Sequence, residues 1–146
     1  MTLQNLLKIQ SLSEFNAQRD DIQRLIAAAE RNLNDAAATN ISDENRFDAA
    51  YKCVMQCGMV SLWAHGYRPS KSKPGHHQTI IQTLPLTVGL DARTMMVLDA
   101  LRKQRNISDY DGEIISRTVV VECMKQAHAL LAHVRSWLVE HRPDLS

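Results

Sequence analysis

Apolar residues in this chain recur at the spacing of a helix, and no stretch alternates apolar and polar as a half-buried strand must. That period is the strongest constraint on its fold. Phe15, Ile22, Leu25, Ile26, Ala29 and Leu33 form one stripe. Phe47, Ala50, Tyr51, Val54, Gly58 and Leu62 form a second. Val119, Val120, Met124, Ala127, Leu131, Val134 and Leu138 form the longest. The best strand candidate, "RTVVVEC", lies inside that last pattern. Five glycines and four prolines in 146 residues are too few for a turn-rich β architecture.

The punctuation between stripes places the helix ends. Ser11, three residues before Glu14, predicts a capping box that opens the first helix. "NISDEN" breaks it, and Ser42 or Asp43 caps the second, which stops at Gly66. "GYRPSKSKPG" reads as an exposed loop because it packs two prolines and three cations into ten residues. A short helix then carries His77, Ile80, Ile81 and Leu84 and ends before Pro85. Asp91 caps a helix with Met95, Leu98 and Leu101 facing inward. The last helix runs from about Glu113 or Ser116 to just before Pro143. The expected product is all-α: one antiparallel up-and-down bundle of four main helices plus a short one, a single domain over residues 1–146.

Charge and cysteine content narrow the function classes. A net charge of +1 does not predict tight nonspecific binding of polynucleotides, so any nucleic-acid contact must come from a local patch. Cys53, Cys57 and Cys123 are an odd number without a secretory leader, which argues against a disulfide framework. The opening "MTLQNLLKIQSLSEF" has no continuous apolar region, and no run is long enough to span a bilayer. A cytoplasmic protein without membrane contact is expected.

One segment combines charge and punctuation unusually: "LRKQRNISDYDGE", residues Leu101 to Glu113. A helix continuing through Leu98 and Leu101 places Arg105 on the buried stripe, while Lys103 points to solvent. A guanidinium there needs a partner or a groove that holds anions. Asn106 suits the backbone of a helix end, and "DYDG" supplies a turn and a cap for the next helix. On spacing alone, Arg105 bridges Asp109 or Asp111 across that turn, or it binds an anion.

These residues resemble the HEPN domain, a small helical bundle found in nucleotidyltransferase-linked toxin modules and in RNA-cutting effectors. The resemblance covers most of the chain. It rests on the helix end "LWAHGYRP", on "KPGHHQTIIQTL" and on "LRKQRN". Family members carry Arg, a polar residue, then His after a gap of four to six residues. Arg105 and Asn106 match the first two positions; Tyr110 stands at the four-residue gap and Gly112 at the six, so the histidine is missing. The resemblance implies a homodimer, a nucleotidyltransferase partner from a toxin–antitoxin or defence system, and RNA or a nucleotide as ligand, with no metal or other cofactor. It also implies that Arg105 steadies charge on a phosphate while the histidine moves protons. Tyrosine ionises near pH 10 and is a poor base at neutrality, so Tyr110 favours a binding module over an active ribonuclease. The expected site is Arg102, Arg105, Asn106, Asp109 and Tyr110. The alternative is a metal-independent endoribonuclease in which Tyr110 or a distant histidine takes the missing role.

The remaining chemistry is weaker. Cys53, Cys57 and His65 lack the spacing of a structural zinc site and read as core residues. His76 and His77 point about 100° apart on a helix and do not share a metal; His76 reads as exposed, His77 as packed near the bundle end. His128 and His133 do not share a face and read as surface residues. Arg68, Lys71 and Lys73 offer a second anion contact if their loop lies beside Arg102 and Arg105. The methionines, among them Met55, Met59, Met95, Met96 and Met124, read as core or interface filler.

Overall fold

The computed structural model describes residues 1–146. Its seven helices are α1 (Leu3–Lys8), α2 (Arg19–Ala36), α3 (Asp43–Ala64), α4 (His76–Gln82), α5 (Leu84–Val88), α6 (Ala92–Asp111) and α7 (Arg117–His141). Two short strands, β1 (Leu12–Glu14) and β2 (Tyr67–Pro69), pair antiparallel with Leu12 opposite Pro69 and Glu14 opposite Tyr67. The all-α bundle expected from the sequence is the fold observed. The four long helices are α2, α3, α6 and α7.

Helix α3 is the axle of this arrangement. It buries half of its 22 residues, from Phe47 to Ala64, and packs against α2 on one side and α7 on the other. The single stripe read from the sequence is therefore too narrow: Cys53, Cys57, Val60, Ser61 and Ala64 are also buried. A helix enclosed by neighbours needs apolar residues around most of its circumference, not along one face. Helix α2 is a true surface helix, with Ile22, Ile26, Ala29, Leu33 and Ala36 buried. Helix α7 contributes Val120, Cys123, Ala127, Leu130, Leu131, Val134 and Leu138. The main core is one cluster running from Ala17 to Leu145.

Most helix ends follow their sequence signals. The Ser42 hydroxyl accepts from Asn45 N–H at 3.1 Å, and the Ser116 hydroxyl from Val119 N–H at 3.3 Å. Gly66 takes a left-handed φ of 85° just after α3, where a residue with a Cβ would be strained. Two ends differ from expectation. Ser11 and Glu14 form no capping box; they belong to the β1 segment, and α2 begins at Arg19 with a box between Gln18 and Asp21. Propensity gave way to pairing, because "YRP" from the predicted loop supplies the partner strand. Pro85 does not simply end the short helix: α5 starts at Leu84, with the proline in its first turn, where no helical N–H is required.

No helix is long and apolar enough to cross a membrane. The three cysteines are buried and free, and the neighbouring Cys53 thiol together with burial holds the Cys57 thiol well above its usual range. Burial likewise pushes the Cys123 thiol up to about 12. No three His, Cys, Asp or Glu side chains are grouped to hold a metal ion.

Helix α4 lies close on α3 at Gly58. A Cβ at this position would sit inside contact distance of the Ile80 Cγ2 methyl, which branches from a stiff β-carbon and has little room to yield. Alanine gains about 1 kcal/mol of helix propensity over glycine, whereas overpacking typically costs about 1–3 kcal/mol. Gly58→Ala is therefore expected to lower stability by about 1 kcal/mol net, read as a lower urea midpoint with an unchanged slope. In an Ile80→Ala background the same change should be neutral or stabilising. A stabilising Gly58→Ala in the wild-type background would contradict the close approach.

Candidate anion-binding site

The packed inner face of α6 ends in a charge. Leu98 and Leu101 are its only buried residues, and Arg105 occupies the next turn of the same face. The α6 helix does not break there, as the sequence suggested. It continues to Asp111, with Gly112 as a left-handed cap at φ 70°. Asn106 is accordingly a half-buried residue of the helix interior rather than a helix end. The reason is local: the residues from Ser108 to Asp111 tolerate the last helical turn, and glycine is what stops it.

Arg105 meets Tyr51 from another helix, and Tyr51 in turn meets His77. Its guanidinium carbon lies 5.6 Å from the centroid of the Tyr51 ring, on α3. The Tyr51 hydroxyl is 3.0 Å from His77 Nδ1, on α4, and the two rings are tilted by 37° at 5.6 Å. Phe47 stacks near Tyr51 at 6.1 Å. On α6 itself, Arg105 Nε pairs with Asp109 at 3.0 Å, and Arg102 Nε with Asp99 at 2.9 Å. The Arg105–Asp109 pair is partly exposed and contributes at most about 1 kcal/mol. Asp48 and Lys52 on α3 complete the surroundings.

Protonation in this cluster follows from burial. Tyr51 is almost fully buried, and desolvation pushes its phenol up to about 12 against the opposing pull of Arg105 and Arg102. The phenol keeps its proton and donates it to His77 Nδ1, which assigns the imidazole proton to Nε2. His77 is held below its usual range by burial first, then by Arg105, His76 and Arg102. Its Nε2–H has no partner within the chain. The Asp48 carboxyl is raised by burial and by the facing Asp109, with Arg105 and Lys52 opposing. Two donor groups, the outer guanidinium edge of Arg105 and His77 Nε2–H, are therefore left without strong acceptors beside a buried aromatic floor. Such an arrangement suits an oxyanion.

The residues expected from the sequence divide sharply. Arg105, Arg102 and Asp109 share one end of α6, and the bridge from Arg105 to Asp109 expected on spacing is present. Tyr110 is elsewhere: five residues after Arg105, it lies about 140° around the helix and is 83% exposed. The basic loop does not join the cluster through Arg68, whose guanidinium covers the Phe15 ring at 5.0 Å. Phe15 packs on Trp63, about 18 Å along α3 from Tyr51. Lys73 is tied to the carbonyl of Ile9. His133 is not a free surface residue, since its Nε2 bonds Val88 O at 2.6 Å. Tyr51 and His77 were the residues that spacing did not join to Arg105. One signal was present: a tyrosine on a buried stripe needs a partner for its hydroxyl.

Comparison of the chain with family models, curated proteins and solved structures gave no match.

The linkage at His77 has a definite sign. Its folded pKa lies below the unfolded value of 6.5, so between the two the unfolded chain binds more protons. The stability gained from keeping His77 neutral is complete above about pH 6.5 and is lost as pH falls through the folded pKa. Urea unfolding near pH 7.5 and near pH 5.5 should therefore show a larger acid loss in the wild type than in His77→Gln. Equal losses would show that His77 is not held neutral by the fold.

Proposed function

We propose that the protein is a HEPN-like module that binds RNA or a nucleotide through phosphate at Arg105 and cleaves RNA weakly or not at all. One observation carries this reading: Arg105 sits over the Tyr51 ring with His77 close by, leaving donors and no base at the motif's own spacing. Tyr110, at the spacing where the HEPN motif has its histidine, is turned away from Arg105 into solvent. The resemblance implies a nucleotidyltransferase as the partner in a toxin–antitoxin or defence system.

A second copy of the chain is the first partner proposed. Met96, Ile107 and Tyr110 lie within about 60° of one another on the outer face of α6 and are exposed, followed by Ile114 and Val121. An antiparallel pairing of two α6 helices about Ile107 sets Lys103 of each copy against Asp111 of the other, so the face is complementary in charge to itself. Arg105 is on the opposite side of the helix, about 180° from Met96. This dimer buries the apolar stripe and leaves each anion site open.

The second reading is metal-independent cleavage of RNA. A neutral imidazole beside an arginine favours it, because His77 has the protonation state of a base. Incubating the protein with a uridine oligonucleotide separates the two: intact RNA supports the binding module, and products ending in a cyclic phosphate that vanish in His77→Gln support the nuclease.

Arg105→Ala should weaken binding of oligouridine or AMP by about 1.5–3 kcal/mol, roughly ten- to 150-fold, as expected for hydrogen bonds to a charged group. Its effect on stability should be smaller than that of Leu98→Ala, a buried truncation expected to lose about 2–5 kcal/mol. If Arg105→Ala unfolds the bundle and the wild type binds neither probe, the arginine is structural. Light scattering should give twice the chain mass, reduced to the monomer by Ile107→Asp. A monomeric wild type at micromolar and higher concentrations would contradict the dimer.

A further inference from the structure

Resting on the binding reading above, we infer that His77 is the second phosphate ligand of the site, taking up a proton when an RNA phosphodiester binds between its Nε2 and the outer edge of Arg105. The histidine absent from the motif spacing is thus supplied in space, from α4, as a ligand.

The argument is geometric first. The Tyr51 hydroxyl fixes the imidazole by its Nδ1, which turns the Nε2 side away from that bond. The same Tyr51 ring carries the Arg105 guanidinium on its face. One side chain therefore holds both donors, and it is itself buried in the wall of the enclosed helix α3. Arg105 keeps its outer nitrogens, since Asp109 takes only the Nε side. Arg102 does not serve equally: Asp99 also takes its Nε side, but that pair is mostly buried, whereas the Arg105 pair is about twice as exposed. Selection of a phosphodiester needs donors without acceptors, and Nε2–H and the guanidinium edge are both donors only.

Charge supplies the proton linkage. The groups acting on His77 are Arg105 and Arg102 on α6, His76 beside it on α4 and the Tyr51 hydroxyl on α3; Asp48, Lys52, Asp99 and Asp109 act on Tyr51 or on the Arg105 pair instead. In the free protein the nearby guanidiniums disfavour a second cation, and partial burial acts in the same direction. A bound phosphodiester places a negative charge between Arg105 and the imidazole and reverses that balance. The added proton comes from solvent and goes to Nδ1, the ring nitrogen that had none, so both nitrogens of the imidazolium are donors; Tyr51 then turns its hydroxyl to accept from Nδ1. Apart from that N–H bond, no covalent bond changes. The affinity must consequently rise as pH falls, because the bound state holds more protons than the free one.

The test uses the full chain and a short oligouridine with hydroxyls at both ends, whose phosphodiesters and bases do not titrate between about pH 6 and pH 8. Affinity is measured across that range at constant ionic strength. The expected result is a rise of about fivefold to tenfold from pH 8 to pH 6 in the wild type. His77→Gln removes the titrating ligand, so it should bind oligouridine more weakly and show no rise between pH 8 and pH 6. In parallel, the His77 imidazole signals of the wild type should titrate at higher pH with oligouridine bound than without, a readout that does not depend on any variant folding. Binding that is weakened by Arg105→Ala but is independent of pH, with an unmoved His77 titration, overturns this inference and leaves the binding reading intact. A pH-dependent rise that persists unchanged in His77→Gln overturns it as well. Absence of oligouridine binding at any pH overturns both.

Discussion

Everything in this bundle is arranged around the enclosure of α3. Because α2, α7, α4 and α5 all pack against it, residues on most of its circumference are buried, including the small Ala50, Cys53, Cys57, Gly58 and Ser61. Small residues let neighbouring helices approach closely, and the approach of Ile80 to Gly58 is the tightest instance. The Ser61 hydroxyl returns to the Cys57 carbonyl at 2.8 Å, so a polar residue in this position needs no outside partner. A rigid central helix is also what allows a tyrosine in its wall to act as a fixed platform.

The position of His77 depends on a sharp turn between two short helices. Thr83 closes α4 and opens α5, and its hydroxyl bonds the Thr79 carbonyl at 2.8 Å. Neither helix is long enough to be stable alone, so tertiary contacts must hold them. Two histidines contribute to this: His65 Nε2 bonds Thr87 O at 2.7 Å, and His133 Nε2 bonds Val88 O at 2.6 Å. Both satisfy carbonyls at the end of α5, where the helix leaves them without partners. His65 packs in turn at a tilt on Trp137, which stacks with His141. Two of the six histidines, His65 and His133, thus tie the end of α5, whereas His77 bonds a side chain, the Tyr51 hydroxyl.

Helix α6 has a different character from the others. Only two of its 20 residues are buried, although Met96, Ile107 and Tyr110 on its outer face are apolar or aromatic. Its inner face passes from Leu98 and Leu101 to Arg105 with no change in helical register, so the charge lies at the rim of the core. Its two arginine ion pairs, Arg102 with Asp99 and Arg105 with Asp109, differ in depth, and the shallower one leaves the outer edge of its arginine open to a ligand. The proposed anion site and the proposed dimer face occupy opposite sides of this one helix.

The sequence by itself determined the helical class, the extents of α3 and α7 and most of the residues the long helices bury. It did so because each long helix keeps its own 3.6-residue period, and because Ser42, Asp91, Ser116 and the glycines at 66 and 112 mark ends by local backbone chemistry. It also placed Arg105 on an inward-facing stripe and offered Asp109 or Asp111 as its partner; the structure selects Asp109, four residues on. Three things required the tertiary structure. The β1–β2 ribbon joins segments more than fifty residues apart, and short polar strands carry too weak a period to be seen alone. The end of α6 was read too early, because turn-forming residues are also accepted in a last helical turn. The meeting of Arg105, Tyr51 and His77 draws on three helices and long loop closures, and only the packing of α4 and α6 against α3 decides it. Local chemistry is written in the order of residues; contacts between helices depend on how buried faces fit together.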